Sequence, residues 1–246
     1  LTPHWPAPYG LGADPTLQIV IDQELDRAGV VRPDLVIAGW AVPTILSHGT
    51  DAQRERFVLP SLLGELVWCQ LFSEPGSGSD LASLRTRAVR VDGGWRLTGQ
   101  KVWTSVAERA DWAICLARTD PDAPQHKGIT YFLVDMRSPG IEVRPLREIT
   151  GEALFNEVFL DDVFVPDDCV VAEPGDGWRL ARTTLANERV AMASARLTKS
   201  VERAVEIAAT RDLGPVERVQ VGRQVALATV CALLGVRTTL RALGGH

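Results

Sequence analysis

The chain has 246 residues, 46% of them hydrophobic and 23% charged, the composition of a globular protein that buries a core. This excludes disorder, collagen-like repeats and low-complexity tails. Lys and Arg total 26 against 31 Asp and Glu, a formal net charge of -5, without the basic excess that nucleic-acid binding calls for. The uncharged run Val225–Val236 ends at Arg237. A spanning helix needs about 20 apolar residues, so no membrane span is expected. Cys69, Cys115, Cys169 and Cys231 form no CxxC pair, which fits a reduced, cytoplasmic protein. His4, His48, His126 and His246 have no metal-ligand spacing, and no metal is expected. No basic and apolar leader follows Leu1, and a helical pattern runs to the last residues without a stop. A fragment of a longer chain is therefore expected.

Three prolines within Thr2–Gly10 exclude a regular opening helix. Leu17, Val20, Ile21 and Leu25 then recur at helical spacing. Leu35, Ile37, Ala38, Trp40, Ala41, Ile45 and Leu46 predict a second, more buried helix. Thr50 and Gln53 form a capping-box pattern before Phe57, Leu59, Leu62 and Leu63. Beyond about residue 66 the period changes. Trp68–Phe72 reads as a strand, and Thr86–Val91, Asp92-Gly93-Gly94 and Trp95–Leu97 as a hairpin. Trp112–Ala117, Ile129–Val134, Ile141–Val143 and Phe155–Leu160 read as further strands. Short strands without intervening helices predict an antiparallel barrel or sandwich. From Gly177 helix returns, through Leu180, Thr184, Leu185, Val190, Ala191 and Ala195, then Val201, Ala204, Ile207 and Ala208. Gly214-Pro215 breaks it before Val219–Leu240. The fold class is thus α+β: an N-terminal helical domain (1–66), a middle β-domain (67–174) and the start of a C-terminal helical bundle (175–246).

Three segments carry candidate chemistry. The loop Ser73-Glu74-Pro75-Gly76-Ser77-Gly78-Ser79-Asp80 reads either as a flexible connection or as a ligand loop. In the second case its hydroxyls and open backbone N–H groups hold a phosphate or a carbonyl edge. In Gly99-Gln100-Lys101-Val102-Trp103-Thr104-Ser105, Trp103 is either core or a wall for a planar ring, with Thr104 and Ser105 bonding the ring's edge. Within Asn187-Glu188-Arg189, Glu188 is either a solvated helical carboxylate or a desolvated general base.

Leu71–Asp80 followed by Leu97–Ser105, and later Phe155–Pro166, resembles the acyl-CoA dehydrogenase family over almost the whole chain and in family order. The resemblance implies FAD, an acyl-CoA substrate and a dimeric or tetrameric assembly, homo- or hetero-oligomeric, with a homotetramer expected. It places Phe72 and Ser73 along the flavin and Gly78 and Ser79 near its pyrophosphate, Ser79 also lying near acyl-CoA. Trp103 would pack on the isoalloxazine, with Thr104 and Ser105 at its edge near N5. Glu188, immediately before Arg189, matches the catalytic base of isovaleryl- and long-chain-type enzymes, the alternative base lying beyond residue 246. Arg189 matches a position near the CoA arm. The implied reaction is α,β-dehydrogenation to a trans-2-enoyl-CoA, with the α-proton taken by Glu188, a hydride passed to flavin N5, and an electron-transfer flavoprotein as acceptor. Alternatives are an oxidase or flavin monooxygenase on the same fold, and a non-catalytic subunit of a heteromeric enzyme. Thr210-Arg211-Asp212-Leu213-Gly214 departs from the family's Arg-x-x-Phe-Gly stretch, which carries an inter-subunit FAD contact.

Overall fold

The computed structural model describes residues 2, 5–14, 17, 20, 21, 24, 25, 27–30, 35–192 and 196–243. His4, Ala195 and His246 lie outside the described residues. The chain divides into two compact units, Pro33–Leu185 and a second formed by Thr2–Arg32 with Ala186–His246.

The first unit begins with helices α1 (Ala38–His48) and α2 (Asp51–Leu62). The capping box expected at Thr50 is present: Gln53 N donates to Thr50 Oγ1 at 3.2 Å, and Thr50 N donates to Gln53 Oε1 at 3.1 Å. Such a cap contributes about 1 kcal/mol. It also sets the start of α2 so that Phe57 turns inward. The Phe57 ring meets Trp68 edge-on at 5.5 Å and Trp112 at 4.8 Å. Trp68 Nε1 donates to Ser61 Oγ at 2.8 Å, so the buried indole leaves no polar atom unpaired.

Seven strands follow: β1 (Trp68–Leu71), β2 (Arg87–Val91), β3 (Gly94–Ser105), β4 (Trp112–Arg118), β5 (Ile129–Asp135), β6 (Ile141–Leu146) and β7 (Phe155–Pro166). Their order is β1-β4-β2-β3-β7-β6, with β5 paired to β4. The β2–β3 hairpin turns at Gly93, whose φ of 72° suits glycine. Not every pair is antiparallel, as the sequence pattern predicted. β1 runs parallel to β4 from Trp68↔Trp112 to Leu71↔Cys115, and Arg87 of β2 pairs in parallel with Arg118. The result is a curled, mixed half-barrel. Alternation reports which face a side chain occupies but not the direction of the neighbouring strand. Ala113–Ala117 and Ile129–Val134 are buried at every position, so these strands read as continuous apolar runs rather than as alternating ones.

Helix α3 (Gly177–Met192) starts hard against β5, where a Cβ at Gly177 would stand 2.7 Å from the Ile129 carbonyl oxygen. Its first turns are held by buried hydroxyls. Thr184 Oγ1 lies 2.8 Å from Thr44 Oγ1 and 3.0 Å from Tyr131 OH, joining α3 to α1 and β5. The helix–β–helix order read from the sequence is the order of the fold.

In the second unit, α4 (Arg196–Ala209) and α5 (Pro215–Leu243) flank the break at Gly214-Pro215. Proline at the first helical position needs no N–H partner, and the Gly214 N–H donates to Glu217 Oε2 at 2.9 Å. Leu227, Val230 and Leu233 on α5 are exposed, while Ala228 is buried. By length and composition the 24-residue stretch Pro215–Thr238 is able to cross a membrane. The uncharged run alone did not reveal this, because Arg223 and Arg237 interrupt a stretch that stays apolar on average. The same apolarity suits a helix covered by neighbours in a bundle.

Candidate active site

Two of the three segments, the Ser/Gly loop and the strand of Trp103, meet where β1 ends beside β3. Ser73 continues β1 by accepting a hydrogen bond from Val102 N at 2.9 Å. This lays the start of the Ser/Gly loop against the strand that carries Trp103. The loop then closes tightly: Glu74 N donates to Ser77 O at 2.7 Å, and Ser77 N to Glu74 O at 3.0 Å. Ser77 is buried and donates its hydroxyl to Asp80 O at 2.9 Å. The flexible-connection reading therefore does not hold here. The loop is pinned at Glu74 and Ser77, while Gly76, Gly78, Ser79 and Asp80 remain exposed.

Glu74 is the deeper anchor. Its carboxylate accepts from Arg85 N at 2.6 Å, Thr86 N at 2.9 Å and Lys101 Nζ at 2.9 Å. Burial alone would push this carboxyl's pKa up. The Lys101 ammonium and the hydrogen bonds from Thr86, Arg85 and Lys101 outweigh that and hold it below the usual carboxylate range. Thr86 reaches Glu74 because Gly99 lets the chain pass close. A Cβ at Gly99 would stand 2.4 Å from Thr86 Oγ1 and 2.8 Å from Thr86 Cα.

Trp103 sits on a bulge. The β3–β7 register slips between Lys101↔Val158 and Thr104↔Asn156, so Val102 and Trp103 together oppose a single β7 residue. The slip puts Trp103 in the left-handed region, φ 59°, which costs about 1–2 kcal/mol for a residue with a Cβ. It also turns the indole outward, 62% exposed, with Phe155 edge-on at 5.9 Å. Buried Asn156 locks the slip by donating to Thr104 O at 3.0 Å and to Glu108 Oε2 at 2.8 Å. A large aromatic held exposed in a strained conformation is the kind of outlier that clusters at ligand sites.

Ser73 and Ser105 are half-buried, and Gly78 and Ser79 are open in the pinned loop. Phe72 and Thr104 stand differently from the expectation. The Phe72 ring is 3% exposed and packs edge-on to Tyr131 at 6.1 Å. Thr104, next to outward-facing Trp103, is buried, and its hydroxyl has no hydrogen-bond partner among the described residues. Glu188 and Arg189 lie on α3 in the second unit, Glu188 half-buried and Arg189 exposed. Glu74, Ser77, Lys101 and Asn156 received no role from the sequence. A Lys between Gln100 and Val102 in a strand otherwise bound for the core was the available signal. Among the described residues no group of three or more His, Cys, Asp or Glu side chains suits a metal ion. A separate groove of about 670 Å³, lined by Glu108, Arg109, Asp111, Arg137 and Asn156 among others, excludes Trp103 and the loop.

These features fit a flat, phosphate-bearing cofactor. The exposed Trp103 face suits a planar ring, and a Cβ at Gly78 would meet no atom of the chain within 4 Å. Packing within the chain therefore does not require glycine there, and the backbone is left open to a ligand. Residues 69–163 match the family model "Acyl-CoA dehydrogenase, middle domain". The chain belongs to the acyl-CoA dehydrogenase family. It is 65% identical over 247 residues to acyl-CoA dehydrogenase FadE34 of Mycobacterium tuberculosis, covering 100% of this chain and 35% of that protein. It superposes on the Tcur3481-Tcur3483 steroid ACAD with a TM-score of 0.87 at 32% identity, covering 99% of this chain and 64% of that one. The ChsE4-ChsE5 complex of Mycobacterium tuberculosis gives a TM-score of 0.83 at 30% identity, covering 99% and 65%. The chain therefore spans about a third of the curated relative that it matches along its full length.

Proposed function

We propose that the protein carrying this chain is an FAD-dependent acyl-CoA dehydrogenase that converts an acyl thioester to its trans-2-enoyl product. The observation that carries the reading is Trp103, held exposed and left-handed beside a pinned Ser/Gly loop, together with the family membership. Bound FAD would supply the acceptor for two electrons and the β-hydrogen of the acyl chain. Trp103 offers its face to the ring and shields it from water, and Ser73 and Ser105 bond to its polar edge. Gly78 and Ser79 present N–H and hydroxyl groups to the pyrophosphate, with Ser79 also bordering the substrate. Glu188 takes the α-proton, and Arg189 meets the anionic CoA arm.

Two of the structural neighbours support finer points. The steroid ACAD favours a bulky, ring-bearing acyl group over a simple fatty acyl chain, and the ChsE4-ChsE5 complex favours a hetero-oligomer over a homotetramer. Reduced enzyme would pass its electrons to an electron-transfer flavoprotein. Four unpaired cysteines, three of them buried, fit a reducing cytoplasm.

The test is anaerobic mixing of the flavin-loaded, full-length protein with straight-chain, branched and steroid side-chain acyl-CoAs, following the oxidised-flavin band at about 450 nm. Bleaching by wild type and a loss of about a thousandfold or more in Glu188→Gln supports dehydrogenation with Glu188 as base. Equal bleaching by both moves the base elsewhere in the protein. A flavin-loaded protein that none of the substrates bleaches refutes the reading in favour of a supporting subunit. Rapid oxygen consumption by the substrate-reduced enzyme would instead identify an oxidase.

A further inference from the structure

The ion pair between Lys101 and Glu74 has no part in the chemistry above, yet it lies beneath both segments that would hold flavin. Lys101 is fully buried, and its ammonium donates to Phe72 O at 3.1 Å, Glu74 Oε1 at 2.9 Å and Leu116 O at 2.8 Å. All three ammonium hydrogens are thereby used. Glu74 is 8% exposed, and its carboxylate is met by Lys101 and the N–H groups of Arg85 and Thr86.

Burying a charge pair costs desolvation that its attraction offsets only when hydrogen bonding is complete, and a well-packed apolar pair is often as stable. Stability alone is thus a weak reason for these two residues. Connectivity is a stronger one. Lys101 lies two residues before Trp103 and grips the carbonyl immediately before Ser73. Glu74 opens the Ser/Gly loop and grips the segment at Arg85 and Thr86 where the chain re-enters the sheet. The pair therefore spans the entry of the loop, its exit and the bulged strand, and neither residue faces solvent.

We propose that Lys101 and Glu74 are positioning residues for the flavin. They fix the separation between the Trp103 face and the Gly78–Ser79 backbone, so that ring and pyrophosphate are met together. A preorganised site binds more tightly because less ordering is left to the binding step. The inference rests on the flavin-binding reading above.

The test uses the full-length holoprotein, stripped of flavin and titrated with FAD by fluorescence quenching, with thermal unfolding of the same apoprotein alongside. The double variant Lys101→Met/Glu74→Gln removes both charges at nearly constant volume, and Glu74→Gln alone keeps the shape of the carboxylate. The double variant is expected to unfold near the wild-type temperature but to bind FAD at least about tenfold more weakly, about 1.4 kcal/mol. Its oxidised-flavin band should also be displaced from the wild-type position, and Glu74→Gln should weaken binding by about threefold. A folded double variant that binds FAD as tightly as wild type, with an unshifted band, overturns the proposal. Failure of both variants to fold also overturns it, since the pair is then a stability element. If wild type itself takes up no FAD, the flavin reading fails first, and the two failures are told apart.

Discussion

Replacing Trp103 by glycine separates what this residue does for the fold from what it does for a bound ring. A fully buried tryptophan removes about 250 Å² from water. With the side chain 62% exposed, about 95 Å² is buried within the chain, and losing it costs about 2 kcal/mol at 25 cal/mol per Å². Glycine relieves the left-handed strain at φ 59°, returning about 1–2 kcal/mol. The net destabilisation of the apoprotein should therefore stay below about 2 kcal/mol. A ring stacked on one face would cover about half of the exposed area, about 75 Å², and losing that contact amounts to about 2 kcal/mol or about thirtyfold in affinity. The assay pairs urea unfolding of apoprotein with fluorescence titration of FAD. A Trp103→Gly protein that binds FAD within about threefold of wild type would refute the assignment of the indole as the flavin wall. So would a stability loss above about 4 kcal/mol, which would make Trp103 a core residue despite its exposure.

Gly99→Ala should destabilise the protein by about 1–3 kcal/mol or more, because the new Cβ would meet the Thr86 backbone as well as its side chain. A denaturant midpoint equal to wild type would show that the 85–86 segment moves freely and is not clamped onto Glu74. His48 gives a pH dependence. Arg179 Nη1 donates to His48 Nδ1 at 3.0 Å, so that nitrogen accepts, and the opposite Nε2 lies 3.0 Å from Thr183 Oγ1. Burial, then the Arg179 charge, lower its pKa from 6.5 against the opposing pull of Asp176. The unfolded chain then binds the proton more readily, so the stability contributed by neutral His48 is full above 6.5 and lost as pH falls below it. Urea midpoints taken between about pH 8 and about pH 5 should fall more steeply in wild type than in His48→Gln, and parallel curves would contradict the lowered pKa.

The features legible in the sequence are those set by neighbours along the chain. The Thr50–Gln53 capping box, the glycine turn of the β2–β3 hairpin and the Gly214-Pro215 helix break are all local, and each stands in the structure where its residues predict. The helix–β–helix order followed from periodicity, which depends only on burying one face of each element. Tertiary structure decided what depends on distant partners. The parallel pairing of β1 with β4 joins residues 44 apart, Trp68 and Trp112, and no alternation pattern encodes strand direction. A bulge in β3, visible only against the register of β7, turns Trp103 outward and Thr104 inward, so the candidate for the ring's face and a neighbouring candidate for its edge fall on opposite sides of the sheet. The ion pair of Lys101 with Glu74 also lay within quoted motifs. Only the fold shows that a charge 27 residues from its partner is buried, because burial is a property of the assembled sheet and not of the residue.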